Sequence, residues 1–272
     1  MNTEKQAVKD FWNRASCGEV YAGGDTMRNR LDAQAEERRR LEPYIAEFAR
    51  YSSAKGKRVL EIGVGMGADH LEFAKAQPAS LTGIDLTERA IEFTRSRLEL
   101  YGFVPNIMVG DAEGLPFADD SFDIVYSFGV LHHTPNTAQA IREVYRVLAP
   151  GGVARIMIYH KYSITGYMLW LRYGLFAGKP ARPLKEIYAH YLESPGTKAF
   201  TREESRQMFT QFEEVSILTQ LCFGDLLEGE AGQRHKGLLL SLAKRFHPRW
   251  LIRRALPNHG LFMMIEARKQ AR

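Results

Sequence analysis

The chain changes its hydrophobic rhythm twice. Residues 1–56 are polar and helix-prone: positions 36–40 are charged, and Leu41, Tyr44, Ile45 and Phe48 then recur at helical spacing. A short polar linker at 52–57 ends this stretch. From 58 to 160, short apolar runs alternate with amphipathic ones. Residues 59–62, 81–85, 106–109, 122–127 and 153–159 read as strands. Between them, 69–76, a segment running to Leu98, and a face of Ile141, Val144, Tyr145 and Leu148 read as helices. The sequence Ala149-Pro150-Gly151-Gly152 is expected to stop the last of these. Strand–helix alternation with short apolar strands predicts an α/β fold whose mostly parallel sheet is covered on both faces.

Beyond 160 the alternation breaks. Residues 161–200 are rich in tyrosine, with Trp170 and Phe176 among them, and read as helices inserted after the fifth strand. The apolar run at 164–176 suits a lid over a hydrophobic pocket. Thr201 and Glu204 have the spacing of a capping box, and 214–218 and 260–266 read as two further strands. The chain thus divides into a helical cap (1–56), a core (57–160), and a segment with the insert, the last strands and a basic stretch (161–272).

Composition narrows the function without naming it. Of 272 residues, 45% are hydrophobic and 25% charged, an ordinary globular balance. The net charge of +5 is too mild to argue for a nucleic-acid partner. Residues 244–254 mix cations with apolar side chains and read first as a solvated helix, with an anionic membrane surface as the alternative. Cys17 and Cys222 match no metal or redox spacing, so no metal and a reduced, cytoplasmic setting are expected. The first residues have no apolar core or cleavage site, and no uninterrupted apolar run is long enough to span a bilayer. Peripheral membrane contact and a homodimer remain open.

The chemistry concentrates at strand ends. Glu61-Ile62-Gly63-Val64-Gly65-Met66-Gly67 follows the first strand and opens a helix. Glycines permit a tight turn and close approach of a ligand, and the helix start offers unpaired N–H groups. Gly63, Gly65 and Ala68 also satisfy the dinucleotide fingerprint, so an NAD-dependent oxidoreductase is one reading. Asp85 ends the second strand, where a carboxylate can accept both hydroxyls of a ribose, while Thr87 can cap the next helix. Asp111 follows the third strand, where it can accept from an adenine amino group. These acids and the loop share the strand-end rim at which open α/β sheets bind ligands.

The segments VLEIGVGMG (59–67), TGIDLT (82–87), GDAEGLPFADDSFDIVYSFGVLHH (110–133) and REVYRVLAPGG (142–152) together resemble the class I S-adenosylmethionine-dependent methyltransferases, close to the ubiquinone/menaquinone C-methyltransferase-like group with its type 11 domain. The resemblance implies a Rossmann-like, doubly wound seven-stranded sheet of order 3-2-1-4-5-7-6 with an antiparallel last strand. It implies S-adenosyl-L-methionine as cofactor, with Glu61, Gly63, Gly65 and Gly67 at its methionine part. Asp85 would hold the ribose, Leu86 would pack on the adenine, and Asp111 with Ala112 would meet the adenine edge. Phe128 would sit beside the cofactor, and Tyr21 of the cap could cover it. A small molecule is the expected acceptor. His133, His132 and Tyr159 are candidates for a base or a hydrogen-bond donor, although in-line methyl transfer needs alignment more than a base. The two histidines could instead cap the helix that follows them. Arg38, Arg39 and Arg40 read as a solvated face or as partners for a carboxylate. A non-catalytic methyltransferase-like protein is the remaining alternative.

Overall fold

The computed structural model describes residues 3–228 and 244–271. The cap contains α1 (Thr3–Arg14), α2 (Met27–Leu41) and α3 (Tyr44–Ala49). The alternating region follows as β1 (Arg58–Ile62), α4 (Ala68–Lys75), β2 (Ser80–Asp85), α5 (Glu88–Leu100), β3 (Ile107–Val109), β4 (Phe122–Phe128), α6 (Thr137–Val147) and β5 (Leu148–Tyr159). The insert supplies α7 (Ile164–Trp170) and α8 (Leu184–Tyr191), and then come α9 (Arg202–Met208), β6 (Glu214–Gln220), α10 (Arg249–Ala255) and β7 (Phe262–Arg268).

The strands form one sheet of order β3-β2-β1-β4-β5-β7-β6. Pairing is parallel from β3 to β5, and β7 runs antiparallel to both β5 and β6. This is the expected doubly wound, Rossmann-like, mostly parallel seven-stranded arrangement. The interior strands are apolar because helices cover both faces. Leu60, Ile62 and Val125 meet Ile141 and Val144 of α6 on one side. Val59, Ile124 and Tyr126 meet Phe73 of α4 and Ala49 of α3 on the other.

Local signals hold where a side chain enforces them. Thr87 caps α5 by accepting from Ala90 N, and Thr201 with Glu204 closes the capping box of α9. The fifth strand is longer than its apolar run. It begins at Leu148, opposite Phe122, and the register shifts before Ile124 pairs with Val153. Pro150, Gly151 and Gly152 occupy that irregularity, with Gly151 at φ 74°. The Pro-Gly-Gly signal that predicts a loop marks a bulge at the strand's start.

No residue of the run at 164–176 lines the cavity at the strand ends. Ile164 packs with Leu226 and with Ile252 of α10, and Leu169 packs beneath Tyr159 and Met157. The basic stretch yields α10, which buries Ile252 and leaves Trp250 and Leu251 exposed. Among the described residues, no helix is long and apolar enough to cross a membrane.

Candidate active site

The ends of five parallel strands and the cap enclose a cavity of about 580 Å³. That volume falls in the usual range for small-molecule sites. β1 delivers Glu61 and the loop beyond it, β2 delivers Asp85 and Leu86, and the turn after β3 delivers Asp111 and Ala112. Phe128 ends β4 and Tyr159 ends β5 at the same rim. From the cap, Trp12, Tyr21 and Arg38 face inward.

The glycine loop is shaped by steric necessity. Gly63 has φ 84°, and a Cβ there would lie 2.1 Å from Val130 Cγ2. Gly65 has φ 53° with open space where a Cβ would go, so it presents bare backbone to the cavity. Gly67 caps α4 at φ 75° and packs against Thr94. It lies behind the cavity wall, so its part is to turn the chain into the helix.

Asp85 is fixed from two sides. One carboxylate oxygen accepts Gly65 N–H at 3.1 Å, and the other accepts Thr87 N–H at 3.0 Å and the Thr87 hydroxyl at 2.8 Å. Burial pushes its pKa up, and the hydrogen bonds from Thr87 and Gly65 oppose that rise. Asp111 accepts Glu113 N–H at 3.0 Å and pairs with Lys5 of α1. Lys5 also reaches Glu113 at 2.8 Å, so α1 is pinned across the β3 edge of the cavity.

Behind the loop lies a buried ionic cluster. Glu61 sits 2.8 Å from His70 Nδ1. Burial raises the Glu61 carboxyl well above its ordinary value and lowers His70 to about 4. Asp69 accepts from Arg38 at 2.7 Å and from the hydroxyls of Tyr51 and Tyr126, each at 2.9 Å. Arg38 also pairs with Glu42 and sits over the Phe128 ring. Burial disfavours its charge, but Asp69 and Glu42 more than compensate, and its pKa rises. Thus Arg38 turns inward, whereas Arg40 pairs with Glu37 on the surface. Arg97 of α5 clamps the cap onto the loop, donating to Met66 O, Leu31 O and Gln34.

The other end of the cavity is aromatic and acidic. Phe128, Met157, Tyr159 and Phe262 line it, with Leu192 and Glu193 from the insert. The Tyr159 hydroxyl donates to Glu193 at 2.7 Å. Burial, with Glu193 beside it, raises the phenol far above its ordinary value and keeps it a donor. His133 reaches the cavity wall and meets Trp12 edge-on. His132 lies off the wall, fully buried, with its ring 3.7 Å from that of Tyr159. Burial drives its pKa well below normal, so it is neutral. Neither histidine caps α6, since Asn136 does.

Glu61, Gly63, Gly65, Asp85, Leu86, Asp111, Ala112, Phe128 and Tyr21 therefore surround one cavity, with His133 and Tyr159 at its far end. Gly67 and His132 stand outside it. Sequence reasoning missed Glu193, Glu42 and Lys5, none of which belongs to a recognisable spacing.

The methyltransferase domain family matches residues 60–156, a span that begins inside β1 and includes the whole glycine loop. Residues 60–156 carry a methyltransferase domain. This match decides against the dinucleotide reading of Gly63, Gly65 and Ala68. A phthiotriol/phenolphthiotriol dimycocerosates methyltransferase of Mycobacterium ulcerans is 42% identical over 106 residues, 38% of each chain. A protein of that name from Mycobacterium leprae is 37% identical over 134 residues, 49% of each chain. A fatty-acid O-methyltransferase of Mycolicibacterium smegmatis is 40% identical over 105 residues, 38% of each chain. The chain thus spans at most about half the length of these relatives. Their names point to lipid acceptors and lend no support to the quinone subtype.

Among solved structures, an S-adenosylmethionine-dependent methyltransferase of Mesorhizobium loti aligns with TM-score 0.55 at 17% identity, covering 88% of this chain and 100% of that one. The (4+2)-cyclase SpnF aligns with TM-score 0.57 at 15% identity, covering 98% and 93%. At such identities these likenesses establish the fold alone.

Proposed function

We propose that the protein transfers a methyl group from S-adenosylmethionine to a small, lipid-like acceptor. The observation that carries this reading is the pairing of Asp85 with the bare backbone of Gly65 at the cavity wall. A carboxylate with unused lone pairs beside exposed backbone suits a ribose and an amino-acid end together. Gly63, Gly65 and Glu61 would hold the methionine part, Asp85 the ribose hydroxyls, and Leu86, Asp111 and Ala112 the adenine. Tyr21 and Phe128 would cover the sulfonium region, where aromatic faces favour a cation.

When bound, the cofactor supplies an activated methyl group on a positively charged sulfur. The chain's own work is to align the acceptor and exclude water. Trp12 and Tyr21 close the cavity from the cap. The acceptor would lie at the Phe128–Tyr159 end, where His133 and Tyr159 would orient it and His132 would hold Tyr159 in place by stacking.

The fatty-acid and phthiotriol relatives support the lipid-like class. Calorimetry should show S-adenosylmethionine and its demethylated product binding with micromolar affinity. Labelled methyl should then move from the cofactor into an organic extract of the producing cells. Absence of cofactor binding would end the proposal, and binding without transfer would leave the non-catalytic alternative.

A further inference from the structure

We propose that Glu193 takes the proton of the methyl acceptor, and that the acceptor reacts through a neutral hydroxyl rather than a carboxylate. This rests on the methyl-transfer reading above.

Three side chains converge at the acceptor end, and only one presents a basic atom to the cavity. Burial keeps the Tyr159 phenol protonated, and its hydrogen is already given to Glu193 at 2.7 Å. His133 lines the cavity, but its ring nitrogens face protein. Its Nδ1 faces Ser194 Oγ at 2.8 Å and Thr197 Oγ1 at 3.1 Å. Its Nε2 is buried without a hydrogen bond, and its side chain is 6% exposed against 24% for Glu193. Glu193 Oε2 lies 3.4 Å from that Nε2, so the Tyr159 hydrogen bond holds the carboxylate and His133 flanks it. They are positioning residues, and the carboxylate is the accessible base.

The charge around it selects the acceptor. Glu42 lines the same cavity and carries a second carboxyl. Arg38, the cation on that wall, is committed to Asp69 and Glu42. An incoming carboxylate would meet the Glu193 carboxylate, while Arg38 and Lys5, the cations among the described residues that line the cavity, are already paired. A hydroxyl meets an acceptor for its hydrogen. In the transfer, the acceptor oxygen bonds to the methyl carbon while the carbon–sulfur electron pair returns to sulfur. The hydroxyl proton passes to Glu193 and from there to water at the cavity mouth. No oxidant or further reactant is required.

Two readouts test this. First, tritiated methyl is transferred into the cell extract, and the product is divided by chemistry. Label that resists mild alkali but is released by hot hydriodic acid is an ether, and alkali-labile label is an ester. Ether label is expected, and E193Q should slow its formation by about 100-fold while binding S-adenosylmethionine as the wild type does. E193D, which keeps the base, should recover part of the rate, and it carries the test should E193Q fail to bind cofactor. Second, with S-adenosylhomocysteine bound, calorimetry compares 4-propylphenol with 4-propylbenzoate. The wild type should prefer the phenol by tenfold or more, and E193Q should shrink that preference. Ester label, E193Q transfer within threefold of wild type, or benzoate binding as tightly as phenol each overturns the proposal. Failure of any label to transfer overturns the methyl-transfer reading and this inference with it.

Discussion

Asp85 reaches back 20 residues to accept the N–H of Gly65 at 3.1 Å. The carboxylate that faces the ligand is therefore also the clamp on the loop beneath it. Asp85→Asn replaces one accepting oxygen with a donor and removes the charge. Hydrogen bonds to charged groups contribute about 1.5–3 kcal/mol each, so affinity for S-adenosylmethionine should fall by at least tenfold. Calorimetry on the folded variant checks this, and a change under threefold would remove Asp85 from the site.

Gly63 and Gly65 separate folding from binding. At Gly63 a Cβ would collide with Val130, so Gly63→Ala should destabilise the chain by about 2–4 kcal/mol through overpacking and positive φ. At Gly65 a Cβ meets open space, so Gly65→Ala should cost about 1 kcal/mol yet obstruct the ligand. Thermal melts and cofactor titrations on both variants decide it. Equal melting temperatures with equal binding would contradict both assignments.

Trp12 should report ligand binding. It lines the cavity, whereas Trp170 and Trp250 do not, and Trp250 is exposed on α10. S-adenosylhomocysteine should alter the tryptophan emission, and Trp12→Phe should abolish the change. A response that survives the substitution would place the cofactor away from α1.

Glu42 should make stability depend on pH. Burial raises its carboxyl to about 7 from an ordinary value near 4.5. Between those values the folded chain holds a proton that the unfolded chain has released, so stability falls as pH rises through that window. At about 1.4 kcal/mol per pKa unit, the loss above pH 7 is about 3 kcal/mol. His70 has the opposite sign. Lowered to about 4, it reduces stability as pH falls below its ordinary value of 6.5. Glu42→Gln should therefore raise the melting temperature at pH 8 by about 5 °C and leave it little changed at pH 5. Scanning calorimetry showing a lower melting temperature for the variant at pH 8 would refute the assignment.

The cofactor half of the cavity was legible because its residues follow strands. Periodicity locates β1, β2 and β3, and the end of each strand, or the turn just after it, delivers an acid or a glycine to one edge. The acceptor half was hidden because its chemistry comes from outside the alternating region. Glu193 sits in a tyrosine-rich insert with no spacing to mark it. Arg38 belongs to a charge run that reads as a solvated face, and only the fold shows that it faces Asp69. Arg97 is fully buried on an amphipathic helix where a polar position normally faces water. The apolar run at 164–176 does not reveal in sequence that Ile164 packs on Leu226 and Ile252, which lie far along the chain.

Asp69 gathers Arg38 from the cap with Tyr51 and Tyr126, and Arg155 of β5 donates to Ala49 O and pairs with Glu266 of β7. A fragment trimmed to the recognisable 60–156 would lose Arg38 and Tyr51 at one end and β6 and β7 at the other. It would strand Asp69 and Arg155 as interior charges, at roughly 3–5 kcal/mol for each broken pair. The part most easily recognised in this chain thus depends on both flanks to pair its interior charges.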